Sequence, residues 1–142
     1  MTKINHAAAR QIVTQALVKA RELDLKPLSV IVLDAGGHPL AFEREDGASP
    51  GRFAIAQGKA YGAVMLGIGG TAQMQRAEAQ AYFITCANAA FGGQLVPVPG
   101  GVLVRGSTGE VIGAVGVTGD TSDNDAAAAT AGIEAAGLTA EI

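Results

Sequence analysis

Apolar residues recur at helical spacing over roughly residues 6 to 24, where Ile4, Ala8, Ile12, Ala16, Ala20 and Leu23 are joined by Val13 and Leu17. Asn5 stands where an N-cap is expected, and Lys26-Pro27 ends the helix. Leu28 to Asp34 is too continuously apolar for a half-exposed strand, so Val30, Ile31, Val32 and Leu33 predict a strand buried on both faces. Ala35-Gly36-Gly37-His38-Pro39 is turn chemistry, and Leu40 to Glu45 returns as the second strand of a hairpin. After the loop Asp46 to Gly51, Arg52 to about Leu66 reads as a helix carrying Ala54, Gly58 and Gly62 along one ridge of small residues. Mid-helix glycine costs about 1 kcal/mol relative to alanine, so two of them four apart predict close backbone contact. Gly67, Gly69 and Gly70 break that helix, and Thr71 to about Phe83 forms another.

Residues 85 to 101 read as irregular, with one short strand around Leu95 to Val98. Val102 to Arg105 and Glu110 to Thr118 predict a hairpin about Gly106-Ser107-Thr108-Gly109. Ser122 or Asp123 then caps a final alanine-rich helix to about Ala136. Within the last strand, Gly113 and Gly116 fall on opposite faces, so something presses on both sides of it, and the alanines of the last helix are one such neighbour. The predicted order is one helix, two strands, two helices, three strands and a helix. Hairpin-joined strands with segregated helices point to an antiparallel α+β sheet in one domain, residues 1–142, and not to a dinucleotide-binding fold.

Charged residues make up only 16% of the chain against 49% hydrophobic, and mean hydropathy is +0.29. Ordinary soluble domains carry about 25% charged residues, so this surface is under-supplied with charge. No run of 18 apolar residues exists to span a bilayer, so a homo-oligomer that buries the excess between subunits is expected. A net charge of -3 and 4% aromatic residues argue against a nucleic-acid partner. Cys86, the single cysteine, permits no intrachain disulfide and no cysteine-based zinc site. The first residues show no secretory signal, which makes the cytoplasm the expected location.

Taken in order, Val30 to Asp34, Gly36-Gly37-His38-Pro39-Leu40, Arg44 with Asp46-Gly47, Lys59-Ala60, and Val111 to Gly119 followed by Ser122-Asp123-Asn124-Asp125-Ala126 resemble the GlcG/HbpS family over nearly the whole chain. The resemblance implies a profilin-like five-stranded antiparallel sheet flanked by helices, assembled into dimers or larger oligomers. It implies haem- or corrinoid-associated binding in some members and a place beside catabolic enzymes in others. One departure stands out: the family commonly has Gly-Gly-hydrophobic-Pro where this chain has Gly100-Gly101-Val102-Leu103, in a loop expected to line the family's pocket.

Arg44, Asp46 and Lys59 are the main charged set. An Arg fork and a Lys point charge can hold a carboxylate, including a haem propionate, while Asp46 orients one of them and the Gly100-Gly101 turn offers backbone amides. The plainer alternative is that Asp46 pairs Arg44 to fix the loop and Lys59 is a solvated or intersubunit residue. His38 and His6 are the only histidines, hence the only imidazole ligands for haem iron, and equally an exposed turn residue and a first-turn helix residue. A haem held through Cys86, Met65, Met74 or Tyr61 is a further option. Asp123 and Asp125 read as helix-terminal carboxylates favoured by the macrodipole. Three functions fit: a binding protein for a tetrapyrrole or small carboxylated metabolite; a catabolic lyase, isomerase or hydrolase with Asp46 or His38 as acid or base; and an oligomeric scaffold without a ligand.

Overall fold

A computed structural model describes residues 1–142 throughout. The chain runs α1 (His6–Glu22), β1 (Ser29–Asp34), β2 (Pro39–Arg44), α2 (Arg52–Leu66), α3 (Gly70–Ala79), α4 (Ala81–Ala90), β3 (Gly101–Arg105), β4 (Val111–Thr118), α5 (Ser122–Ala135) and β5 (Thr139–Glu141). The five strands form one sheet in the order β2-β1-β4-β3-β5, and every neighbouring pair is antiparallel. This is the predicted α+β, profilin-like arrangement, with the central strands β1 and β4 buried on both faces.

Three layers result. On one face α1 and α5 pack with Val30, Val32, Val102, Val104, Val115 and Val117; on the other, Ala56, Ala60 and Ala63 of α2 cover Ile31, Leu33, Leu103 and Ala114. The α1 start follows its sequence signal, because Asn5 Oδ1 accepts the Ala8 N–H at 2.8 Å. Helices approach closely where side chains vanish: a Cβ on Gly132 of α5 would stand 2.5 Å from the Ile12 carbonyl oxygen of α1. Gly113 and Gly116 are pressed from opposite faces as expected. A Cβ on Gly116 would collide with the Ala56 carbonyl of α2, while one on Gly113 would meet the Leu33 carbonyl and Ile4, not the alanines of α5.

The element order needs correction in two places. No strand forms over Leu95 to Val98; the fifth strand is β5, pairing with β3 through Leu103↔Glu141, Val104↔Ala140 and Arg105↔Thr139. Pro97 and Pro99 have no amide to give a ladder, and the segment docks on α2 instead, where the Val96 N–H donates to the Gly58 carbonyl at 3.3 Å. A third intermediate helix, α4, also occupies part of the stretch that reads as irregular. Gln80, at φ -141 and ψ 63, interrupts what otherwise reads as one helix from Thr71. The cap of α5 is Thr121, whose hydroxyl accepts the Asn124 N–H at 3.3 Å, rather than Ser122 or Asp123.

The antiparallel register gives the sheet two chemically distinct ends. Ser29, Arg44 and Thr118 mark one, together with the first turns of α2 and α5. Asp34, the β1–β2 turn and the start of α1 mark the other.

Candidate functional site

At the first end, β1 places Ser29 directly between Arg44 of β2 and Thr118 of β4, so all three side chains share the face covered by α2. Arg52, the first residue of α2, reaches over this row and donates from Nη1 to Thr118 Oγ1 at 2.8 Å. Two turns further along α2, Lys59 donates from Nζ to the Val117 carbonyl at 3.0 Å and to Asp125 Oδ2 at 3.1 Å. The ion pair is sealed in, with side-chain exposures of 4% and 1%. Burial pushes the Lys59 ammonium below its ordinary value and the Asp125 carboxyl above its own, each opposed by the charge of the other. The other Asp125 oxygen accepts the Asp120 N–H at 3.0 Å.

Asp120 knits the corner together. It accepts from Asn124 Nδ2 and the Thr121 N–H at 2.8 Å and from the Lys26 N–H at 2.9 Å, and these bonds, the Asn124 amide first, hold its pKa down to about 2. Gly100 and Gly101 close the lid on Lys59: a Cβ on Gly100 would stand 2.8 Å from Lys59 Nζ, and one on Gly101 would collide with the Lys59 carbonyl.

The predicted charged set is therefore divided. Lys59, Gly100 and Gly101 come together, with Lys59 neither solvated nor facing open space. Arg44 and Asp46 make no ion pair with one another, since the chain's ion pairs are Lys19–Glu22, Arg21–Glu45, His38–Asp34, Lys59–Asp125 and Arg105–Glu141. Asp46 is exposed in the loop after β2 and borders an open cleft of about 540 Å³ with Arg21, Glu43, Arg44 and Glu45. Ser29, Arg52 and Thr118 escaped the sequence reading, and Asp125, read there as a helix-terminal carboxylate, is the buried counter-ion of Lys59. Asp125 left a signal, because it shares a helical stripe with Ala128, Ala129 and Gly132, as Lys59 does with Ala56, Ala60 and Ala63. A charged residue inside a stripe of small buried residues has to find its counter-ion there.

The second end holds both histidines. His38 sits in the β1–β2 turn with its side chain 79% exposed and Nδ1 3.3 Å from Asp34 Oδ1. The same Asp34 oxygen accepts the backbone N–H groups of His38 and Gly36, each at 2.9 Å, which together with the nearby imidazole hold Asp34 below the usual carboxylate range. Tyr61 and Met65 of α2 lie against Gly37 of this turn. His6, exposed in the first turn of α1, borders two clefts. One, of about 550 Å³, is lined by Lys3, Ile4, Asp34, Leu40 and Ile112; the other, of about 250 Å³, by Arg10, Val13, Leu40 and Phe42. Each cleft thus joins the His6 imidazole to one cation, Lys3 or Arg10, one carboxylate, Asp34 or Glu43, and apolar side chains, a mixture that can hold a small ligand with a polar and an apolar part. Cys86 lies exposed on α4 and Met74 half-buried on α3.

Sheet, helices and clefts define a small α+β protein of profilin-like topology with ligand-binding potential at its surface. The comparisons then place it: the chain belongs to the HbpS-like family, whose model, described as "Haem degrading protein HbpS-like", matches residues 4–134. Among solved structures it is similar to the PduOC:heme complex, at 22% identity with 99% of each chain covered and a TM-score of 0.86. It is also similar to protein ORFY of Klebsiella pneumoniae, at 28% identity, 96% and 92% coverage and a TM-score of 0.83. A doubly substituted HbpS of Streptomyces reticuli matches at 25% identity, 94% and 87% coverage and a TM-score of 0.79. No curated protein matches the chain. No helix is long and apolar enough to cross a membrane.

Proposed function

We propose that this chain is a homo-oligomeric binding protein for a haem-like tetrapyrrole, taken up at the end of the sheet where α1 begins. The observation that carries the reading is His6 standing between two clefts, the larger mainly apolar and lined by Lys3, the smaller more polar and lined by Arg10. Family membership and the haem complex formed by PduOC support it. In this reading His6 would supply an imidazole to the iron, Lys3 and Arg10 would pair with the propionates, and Ile4, Leu40 and Ile112 would give the ring an apolar lining. The bound group supplies iron-centred chemistry; the chain supplies its orientation and shelter.

Both clefts open outward, and the chain's low charge fraction leaves apolar surface to cover, which supports a second copy completing the pocket. Acid–base catalysis by His38 or Asp46 gains less support, because both side chains are well solvated and neither is held in an enclosed cavity.

Titration of the purified protein with haem, followed by visible absorbance, tests the proposal. A saturable Soret shift that His6→Ala alters in position and Lys3→Gln/Arg10→Gln weakens in affinity is expected. Unchanged spectra and affinities in all these variants would remove haem from this site. Light scattering that returned about 14 kDa at micromolar concentration would overturn the oligomer.

A further inference from the structure

We infer that the opposite end of the sheet, where Arg44, Ser29 and Thr118 stand side by side beneath Arg52, is a binding site for a compact oxyanion of the carboxylate or phosphate class. Neither guanidinium has a carboxylate partner, since every ion pair of the chain involves other residues. Two of the nearby acids are engaged elsewhere, while Glu43 and Asp46 border the cleft beside Arg44 without pairing with it. Glu45 Oε1 accepts from the Leu28 N–H at 2.8 Å and from Arg21 at 3.3 Å on the α1 side of the sheet, and Asp125 is committed to Lys59. On the α2 face of the sheet the corner carries Arg44, Arg52 and Lys59 against Asp125, with Glu43, Glu45 and Asp46 in the cleft beyond Arg44. Arg52 is felt by its neighbour, because its charge is one of the influences that lower the Lys59 pKa.

An independent observation points the same way. Ser29 is fully buried, yet its hydroxyl has no hydrogen-bond partner. A buried polar atom left unmatched destabilises the fold by about 1 to 3 kcal/mol, so an unmatched hydroxyl in a row of cationic side chains calls for an acceptor. Thr118 pins one nitrogen of Arg52 and leaves the rest of the fork to a ligand. Gly51 precedes α2 with no side-chain cap, so the positive end of that helix lies at the same corner. An oxyanion seated between Arg44 and Arg52 takes two guanidinium forks and supplies the acceptor that Ser29 lacks. Lys59, expected from sequence to converge with Arg44, instead acts from behind as part of the sealed pair.

Calorimetric titration of the whole protein with inorganic phosphate and, separately, with malonate tests the site. At least one anion is expected to bind saturably, with affinity falling tenfold or more in Arg44→Gln and in Arg52→Lys, which keeps the charge but loses the fork. Ser29→Ala is expected to weaken binding severalfold without lowering the melting temperature, a split that a purely structural serine would not produce. Binding of malonate alone assigns a carboxylate and binding of phosphate alone assigns a phosphate, either of which supports the site. The absence of saturable binding of both anions, or equal affinities in wild type, Arg44→Gln and Ser29→Ala, overturns it. His6→Ala is expected to bind the anion as wild type does, so failure of the haem reading and failure of this one are separable.

Discussion

Replacing Lys59 by methionine isolates what the buried pair contributes. The substitution keeps the length and apolar character of the stem, and so leaves its packing beside Gly100 nearly intact while removing the ammonium. Asp125, with 1% of its side chain exposed, then retains only the Asp120 N–H as a donor. Breaking one partner from a buried pair typically costs about 3 to 5 kcal/mol, because the survivor is left charged and poorly solvated or must take up a proton. For a chain of 142 residues that corresponds to a fall in melting temperature of about 10 to 17 °C. Removing both charges, as in Lys59→Met with Asp125→Leu, should recover most of the loss, since an apolar pair of similar volume avoids the desolvation altogether. Urea denaturation of the two single variants and the double variant gives the coupling energy directly. A Lys59→Met variant within about 0.5 kcal/mol of wild type, or a double variant whose loss is the sum of the singles, would refute the argument that the two groups answer each other's burial.

Asp120 has its carboxyl held from 3.8 down to about 2, so its contribution to stability is present above pH 3.8 and is lost as pH falls toward 2; Asp120→Asn should flatten the acid limb of stability in that window, as followed by circular dichroism. Gly62→Leu should destabilise by about 1 to 3 kcal/mol, because a Cβ there already stands 2.8 Å from Gln73 Oε1. Gly58→Leu should cost more, since its Cβ would stand 2.6 Å from the Gln94 carbonyl, which is backbone and cannot rotate away; an unchanged melting temperature in either variant would show that the ridge yields.

What the sequence revealed and what it hid divide along a physical line. The buried strands β1 and β4, the hairpin turns and the first helix were legible because periodicity, glycine and proline act locally. The small ridge of Gly58 and Gly62 correctly announced a close neighbour, which proved to be the Gln94–Val96 segment and Gln73. That segment itself resembled a strand because Leu95, Val96 and Val98 carry strand-forming side chains, and only the amide-less Pro97 and Pro99 argued otherwise. A strand of three residues, Thr139–Glu141, has too little pattern to detect and exists because β3 offers it a ladder. The Lys59–Asp125 pair joins positions 66 residues apart, so no local spacing encodes it. The sequence singles out Arg44 as a candidate for binding but not Arg52, because the nearness of Arg52 to Thr118 is created by the docking of α2 and not by the chain order.

The short strand β5 has a role out of proportion to its length. Val102, Leu103 and Val104 of β3 are completely buried, and without a neighbour their unsatisfied amides and carbonyls would form a ready template for adding foreign strands. Thr139–Glu141 thus cover β3 and make that edge of the sheet only three residues long, while β2, at the other edge, carries a proline and the charged side chains of Glu43 and Arg44. Loss of β5, by proteolysis or truncation, would convert a well-behaved sheet into an aggregation-prone one before its core had melted.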